Sequence, residues 1–329
     1  MNNIKSPRQG IIFRGLSIMS LLFIILIVSW ITVAPGVAET FPNRPVQLIV
    51  PFGPGSGTDL VARGIQPYVK AALGVPLMIE NVPGADSRIG MMKIYKAQPD
   101  GYTIGIHGFP APLITEALFE VSYKSAQSSF IYAWTMNPQL IFVAEGTWNT
   151  FDEFVVEARK RPMTMGLSGL GTVSHLMALM LEKYMKLKFN YIPYSSSSGS
   201  LTTLAGRHID ATFGSTDAAL GMVQAKKVRP LLTFAFHGDP NFPEVPLSTK
   251  YNIPTIVMTR GVFGPPKMPE DRIRILEKGF AKAAAEPKLA EWVKSRGMDL
   301  VALNAKQYRQ AVEKQQALLR EYKDLLKTP

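Results

Sequence analysis

Not one cysteine occurs in the 329 residues, which excludes a disulfide framework, thiolate metal sites and a cysteine nucleophile. Histidine is almost as scarce. His107, His175, His208 and His237 form no pair at the spacing of helical metal ligands, so neither a metal site nor any other cofactor is expected. After the first 38 residues no second long apolar run appears, and the rest of the chain is expected to be soluble. Without cross-links or metal, stability has to come from packing.

What is present begins with Lys5, Arg8 and Arg14, no acidic residue, an apolar run from Leu16 to Ala34, and the small residues Gly36-Val37-Ala38 just before Glu39. Basic, apolar and small-residue regions in that order predict a secretory signal peptide, residues 1–38, cleaved after Ala38. The run is also long enough to serve as an uncleaved N-terminal anchor. The absence of cysteine excludes a lipid anchor. With those three cations removed from 36, against 25 acidic residues, the exported chain carries a formal charge of about +8, which steers anionic ligands toward it. Nucleic acid is not expected as a partner, because the densest basic stretch, Lys278 to Lys327, interleaves Glu and Asp at helical spacing, the pattern of a solvated helix face.

Short β-rich runs alternate with helical periodicity: strands at 46–50, 76–80 and 102–106, with helices at 59–73 and 89–97. A second unit begins near 139, with strands at 139–143, 163–167, 209–213 and 229–235 and helices at 150–160 and 173–185. The alternation predicts an α/β fold with largely parallel sheets. From Asp271 the tail reads as helical and broken at Pro287.

Two loops stand out. In Pro51-Phe52-Gly53-Pro54-Gly55-Ser56-Gly57-Thr58-Asp59, glycines permit close backbone approach, the helix start offers N–H groups and positive partial charge, and Ser56 and Thr58 add hydroxyls, an arrangement suited to an anion. Asp59 reads as a capping acid; a simple tight turn is the alternative for the whole loop. The second loop, Leu167-Ser168-Gly169-Leu170-Gly171-Thr172-Val173-Ser174-His175, lacks the third glycine of a dinucleotide fingerprint, the P-loop lysine, and the glycine that a nucleophile elbow needs at 170. Catalysis is therefore not expected. Roughly 110 residues apart, the two loops make sense as facing halves of one anion site beyond the carboxyl ends of strands.

The ordered set Arg44-Pro45-Val46, Ile49-Val50-Pro51-Phe52, Gly57-Thr58-Asp59-Leu60, Glu80-Asn81-Val82-Pro83-Gly84-Ala85, Ile89-Gly90 and Pro99-Asp100-Gly101-Tyr102-Thr103, followed by Ser168-Gly169-Leu170-Gly171-Thr172, Ser174-His175-Leu176, Ile192-Pro193-Tyr194 and Phe242-Pro243-Glu244-Val245-Pro246, resembles the solute-binding proteins of tripartite tricarboxylate transporters, the Bug family, from about Phe41 to the C-terminus. The resemblance implies a type II periplasmic-binding-protein fold, with two lobes, two crossings and a ligand enclosed between them. It also implies a carboxylate ligand (di- or tricarboxylate, acidic amino acid or aromatic acid), gripped by both loops through backbone N–H groups and hydroxyls, and delivery to membrane permease subunits. The departures lie in the cleft: Asp86-Ser87, then Arg88, where the family has Gly-Gly; Ser195-Ser196 for Lys-Gly; and Gly214 for Asp, which leaves Ser215 as a polar contact.

The expected protein is an exported, monomeric carboxylate binder with lobe 1 at 42–138 plus 237–329 and lobe 2 at 139–236. Gly55, Ser56, Gly57 and Thr58 would face Ser168, Gly171, Thr172 and Ser174, with Ser87 and Ser215 beside them. Phe52 and Tyr194 would wall the ligand or belong to the core. Arg88 would pair with a second carboxylate and favour diacids, or face water beside Asp86. A sensor that presents its ligand to a membrane receptor, and an exported α/β enzyme, are the alternatives from other classes.

Overall fold

The computed structural model describes residues 40–194 and 196–326; the proposed targeting segment 1–38 and Ser195 lie outside them. Short apolar runs bounded by Pro, Gly and Ser become strands. β1 (Val46–Val50), β2 (Leu77–Asn81), β3 (Thr103–Phe109) and β4 (Ser129–Asn137) come first, and β5 (Gln139–Ala144), β6 (Met163–Leu167), β7 (Phe189–Pro193), β8 (Ala211–Ser215) and β9 (Val228–Phe234) form a separate sheet. The chain then returns to the first sheet with β10 (Met258–Gly264) and β11 (Asp299–Asn304). Strand orders are β11-β4-β10-β3-β1-β2 and β7-β6-β8-β5-β9.

Helices α1 (Gly57–Leu73), α2 (Arg88–Tyr95) and α3 (Ala111–Leu118) connect the first strands, and α4 (Phe151–Ala158), α5 (Val173–Met185), α6 (Ser197–Ala205) and α7 (Thr216–Gln224) the second group. α8 (Glu270–Ala284), α9 (Pro287–Ser295) and α10 (Ala305–Leu326) complete the chain. α1 shows how sequence sets each element: Ser56 caps its start, Gly74 ends it at φ 76°, and Val61, Ile65 and Val69 place a buried stripe on one face. Each such fully buried side chain contributes roughly 1.5–3 kcal/mol.

The sheets are mixed rather than largely parallel. β1 runs parallel to β2 and β3, and β6 parallel to β7 and β8. The strand that enters each sheet after a crossing, β5 or β10, is instead inserted antiparallel between two others. The tail also departs from the helical expectation, because Asp299–Asn304 pairs with β4 as an edge strand. Its alternating burial has the two-residue period of a strand with one face to solvent. β1 and β6 thus hold equivalent places in the two sheets, and each is followed by a Gly/Ser loop and a helix. Those two loops lie where parallel strands end and strand order reverses, the switch points at which open α/β sheets bind ligands.

Candidate functional site

The first loop is braced by charge. Asp59, buried in the first turn of α1, accepts from the Gly55 N–H (2.8 Å) and from Arg63 Nε (2.9 Å) through one oxygen, and from Asn81 Nδ2 (2.9 Å) through the other. Asn81 Nδ2 also reaches the Phe52 carbonyl at 3.0 Å. Burial pushes the Asp59 carboxyl upward, but Arg63, Gly55 and Asn81 together outweigh it and hold the carboxyl below its ordinary value. Ser56 Oγ accepts from the Asp59 N–H at 3.2 Å. The Ser56 N–H donates to the Gly53 carbonyl at 3.2 Å, so the backbone donors of Gly55 and Ser56 are used within the loop, and Thr58 is buried.

Hydroxyls brace the second loop. Thr172 Oγ1 donates to the Gly169 carbonyl at 2.7 Å, so its 2.8 Å contact with Ser174 Oγ must carry the Ser174 proton. Ser174 Oγ then accepts from the Ser168 N–H (2.9 Å) and from the Ser168 hydroxyl (3.1 Å). His175 Nδ1 accepts the Gly171 N–H at 3.1 Å. Gly171 has φ 70°, which strains any residue with a side chain, and a Cβ there would lie 2.2 Å from Leu118 Cδ1 at the end of α3, so that leucine would have to shift. The N–H groups of Gly53, Gly169 and Leu170 have no acceptor among the described residues.

A third turn closes the site. Gly84, Ala85, Asp86 and Ser87 all have positive φ, at 125°, 46°, 51° and 72°. Side-chain-bearing residues in that region cost about 1–3 kcal/mol each and persist where surroundings hold them. Here Ser87 is buried and bonded to His107 Nε2 at 3.0 Å. Because His107 Nδ1 faces the Gly108 carbonyl at 3.2 Å, Nδ1 carries the proton and Nε2 accepts from the Ser87 hydroxyl. Burial pushes His107 down to about 4, the Arg260 charge acting in the same direction, so the ring is neutral at neutral pH. Its edge packs on Phe52, with ring centroids 5.0 Å apart.

Between these three turns lies a cavity of about 580 Å³. Phe52, Ser87, Ser168, Gly171, Thr172 and Tyr194 line it, together with Gly53, Asp86, His107, Phe119 and Leu170. Gly55, Ser56, Gly57, Thr58, Arg88, Ser174 and Ser215 are not among the lining residues. Ser174 acts one layer back through the hydroxyl chain, and Ser215 sits at the start of α7, at the end of β8. Arg88 Nε donates to the Ala85 carbonyl at 2.7 Å and its guanidinium lies 4.4 Å from the centre of the Phe119 ring. No lysine or arginine lines the cavity. His107 and Asp86 are among the lining residues that sequence reasoning left out of the site. Their signal was present in Asp86-Ser87 replacing two glycines, but the pairing of Ser87 with a strand residue twenty positions on is a tertiary fact.

The architecture is shared with known proteins. The model of the tripartite tricarboxylate transporter family receptor matches residues 61–325. A UPF0065 protein of Pseudomonas sp. strain P51 is 27% identical over 87% of this chain and 88% of its own, and the protein BugT of Bordetella pertussis is 28% identical over 68% and 71%. The crystal structure of a TctC solute-binding protein from Polaromonas superposes with a TM-score of 0.78 at 25% identity, covering 88% of this chain and all of that one. The matching family is one of transporter receptors and the superposed structure is a solute-binding protein, neither of them an enzyme. No described helix is long and apolar enough to cross a membrane. The chain belongs to the tripartite tricarboxylate transporter receptor family, whose solute-binding members share its fold.

Proposed function

We propose that this protein is an extracytoplasmic solute-binding protein that captures a small organic carboxylate in the 580 Å³ cavity and delivers it to the membrane permease subunits of a tripartite transporter. The observation that carries this reading is the cavity's position between the loops that follow β1 and β6. Each loop precedes a helix N-terminus, and unbonded N–H groups at Gly53, Gly169 and Leu170 suit an oxyanion held by neutral donors. Residues 42–138 with 237–329, and residues 139–236, act as two lobes that close on the ligand, and residues 1–38 direct export to the periplasm.

The test is thermal unfolding of the purified protein against mono-, di- and tricarboxylates, with calorimetry on the best of them. A ligand at a hundred times its Kd adds about 2.7 kcal/mol of apparent stability. The expected result is saturable binding that Gly171→Leu abolishes, since Gly171 lines the cavity at φ 70° and a leucine there is strained and intrudes on the ligand space. The reading falls if no carboxylate raises the melting temperature, or if Gly171→Leu binds as well as wild type.

A further inference from the structure

The cavity lining holds one acidic side chain, Asp86, together with the Gly53 and Gly169–Leu170 donors, and no lysine or arginine; from that juxtaposition we propose that Asp86 reads an ammonium group at the far end of the ligand, so that the cargo is a small zwitterionic amino-carboxylate rather than a diacid. The inference rests on the cavity being the carboxylate site. It narrows the class of carboxylate that the site accepts.

Three observations support it. First, Asp86 has no hydrogen-bond or ion-pair partner among the described residues, although Arg88 is two positions away. That arginine is committed to the Ala85 carbonyl and the Phe119 face, so the turn does not neutralise its own acid. Second, the acid is held in place. It lies between Ala85 and Ser87 in a run of left-handed residues, and Ser87 is anchored by the buried His107. Strain kept at a ligand-facing position by a dedicated anchor points to a positioned group rather than a passing surface residue. Third, the other polar lining groups are neutral. His107 donates to Gly108 and accepts from Ser87, which leaves no cation in the lining to receive a second carboxylate.

With one carboxylate on the neutral donors, the other end of the proposed ligand meets Asp86, and Phe119 belongs to the same lining. A second carboxylate there meets a like charge at short range. An ammonium gains a charge-assisted hydrogen bond to the same oxygen atoms.

The experiment measures affinities of the purified protein for matched sets that differ only in the distal group: γ-aminobutyrate, pentanoate and glutarate; ε-aminocaproate, heptanoate and pimelate; p-aminomethylbenzoate, p-ethylbenzoate and homoterephthalate. The zwitterion should bind best in at least one set, by about tenfold or more over its diacid. Asp86→Asn, which keeps a residue tolerant of positive φ, should lower the zwitterion-to-diacid affinity ratio at least tenfold. Asp86→Gly, which relieves the backbone while removing the acid, should do the same, with circular dichroism verifying that both variants fold. A diacid preferred in every set, a ratio unchanged in both variants, or no binding of any zwitterion overturns the inference. If the methyl or diacid members bind and Gly171→Leu abolishes that binding, the carboxylate reading stands while this one fails. If no member binds, both fail.

Discussion

The loops after β1 and β6 occupy equivalent places in a six-stranded and a five-stranded sheet that share the same local strand pattern, yet they are held by different chemistry. The first is organised around an ionised carboxylate, Asp59, with Arg63 and Asn81 about it. The second is organised by a relay of hydroxyls from Ser168 through Ser174 to Thr172, which ends on the Gly169 carbonyl, while His175 accepts separately from the Gly171 N–H. Equivalent position therefore does not require equivalent bracing. A site that must leave N–H groups free for an anion needs only that the rest of each loop satisfy itself. An ionic brace is sensitive to acid, whereas a hydroxyl relay is not, so pH and single substitutions separate the two halves.

The largest expected effect is on the His107 anchor beside the first loop. Its folded value near 4 lies below the ordinary imidazole value of about 6.5. Between those limits the unfolded chain binds the extra proton and the folded one does not, so this contribution is fully present above about pH 6.5 and is lost as pH falls toward 4. The loss is on the order of 3 kcal/mol. Urea unfolding from pH 7 to 4.5 should show that slope in wild type and a shallower one in His107→Gln; equal slopes would remove His107 as the source.

Next in size is the ionic brace itself. Asp59→Asn should cost about 2 kcal/mol, because Arg63, half exposed, can turn to water while the Gly55 N–H keeps a weaker acceptor. The carboxyl value is depressed in the fold, so its contribution is present above the ordinary carboxylate value and is lost as pH falls through the lower, folded one. Acid unfolding below pH 4 should accordingly be less steep in Asp59→Asn than in wild type.

The smallest effect belongs to the hydroxyl relay. Ser174→Ala removes the link between Ser168 and Thr172 and should cost about 1 kcal/mol at any pH from 4 to 8. A pH-dependent loss there would erase the contrast between the loops.

Most of this architecture was legible in the sequence where periodicity was undisturbed. β6 and α5 coincide with the expected spans 163–167 and 173–185, because a short apolar run followed by Gly/Ser and a long apolar helix has one reading. β4 and β10 were not legible. The first contains Trp134 and Thr135 in a stretch buried at every position but Met136, with no polar alternation, and the second contains the buried Arg260, whose partner is Asn137 at the first crossing. Only the crossing strands' antiparallel insertion explains either. Within the site, composition identified the loops, but it could not reveal which donors the loops spend on themselves. Gly55 reads as an anion donor until Asp59 is seen to accept its N–H, and Ser174 reads as a contact until it is seen to hold Ser168. Arg88, the more conspicuous charge, turns to its own backbone, while Asp86 faces the cavity.

The central claim is that both loops grip one ligand together. Hydrogen–deuterium exchange of the purified protein, with and without the tightest-binding carboxylate, tests it most directly. Amides in 52–57 and 168–174 should gain protection in parallel as the ligand is titrated, with the same midpoint. Protection confined to one loop, or to neither at saturation, would contradict the account.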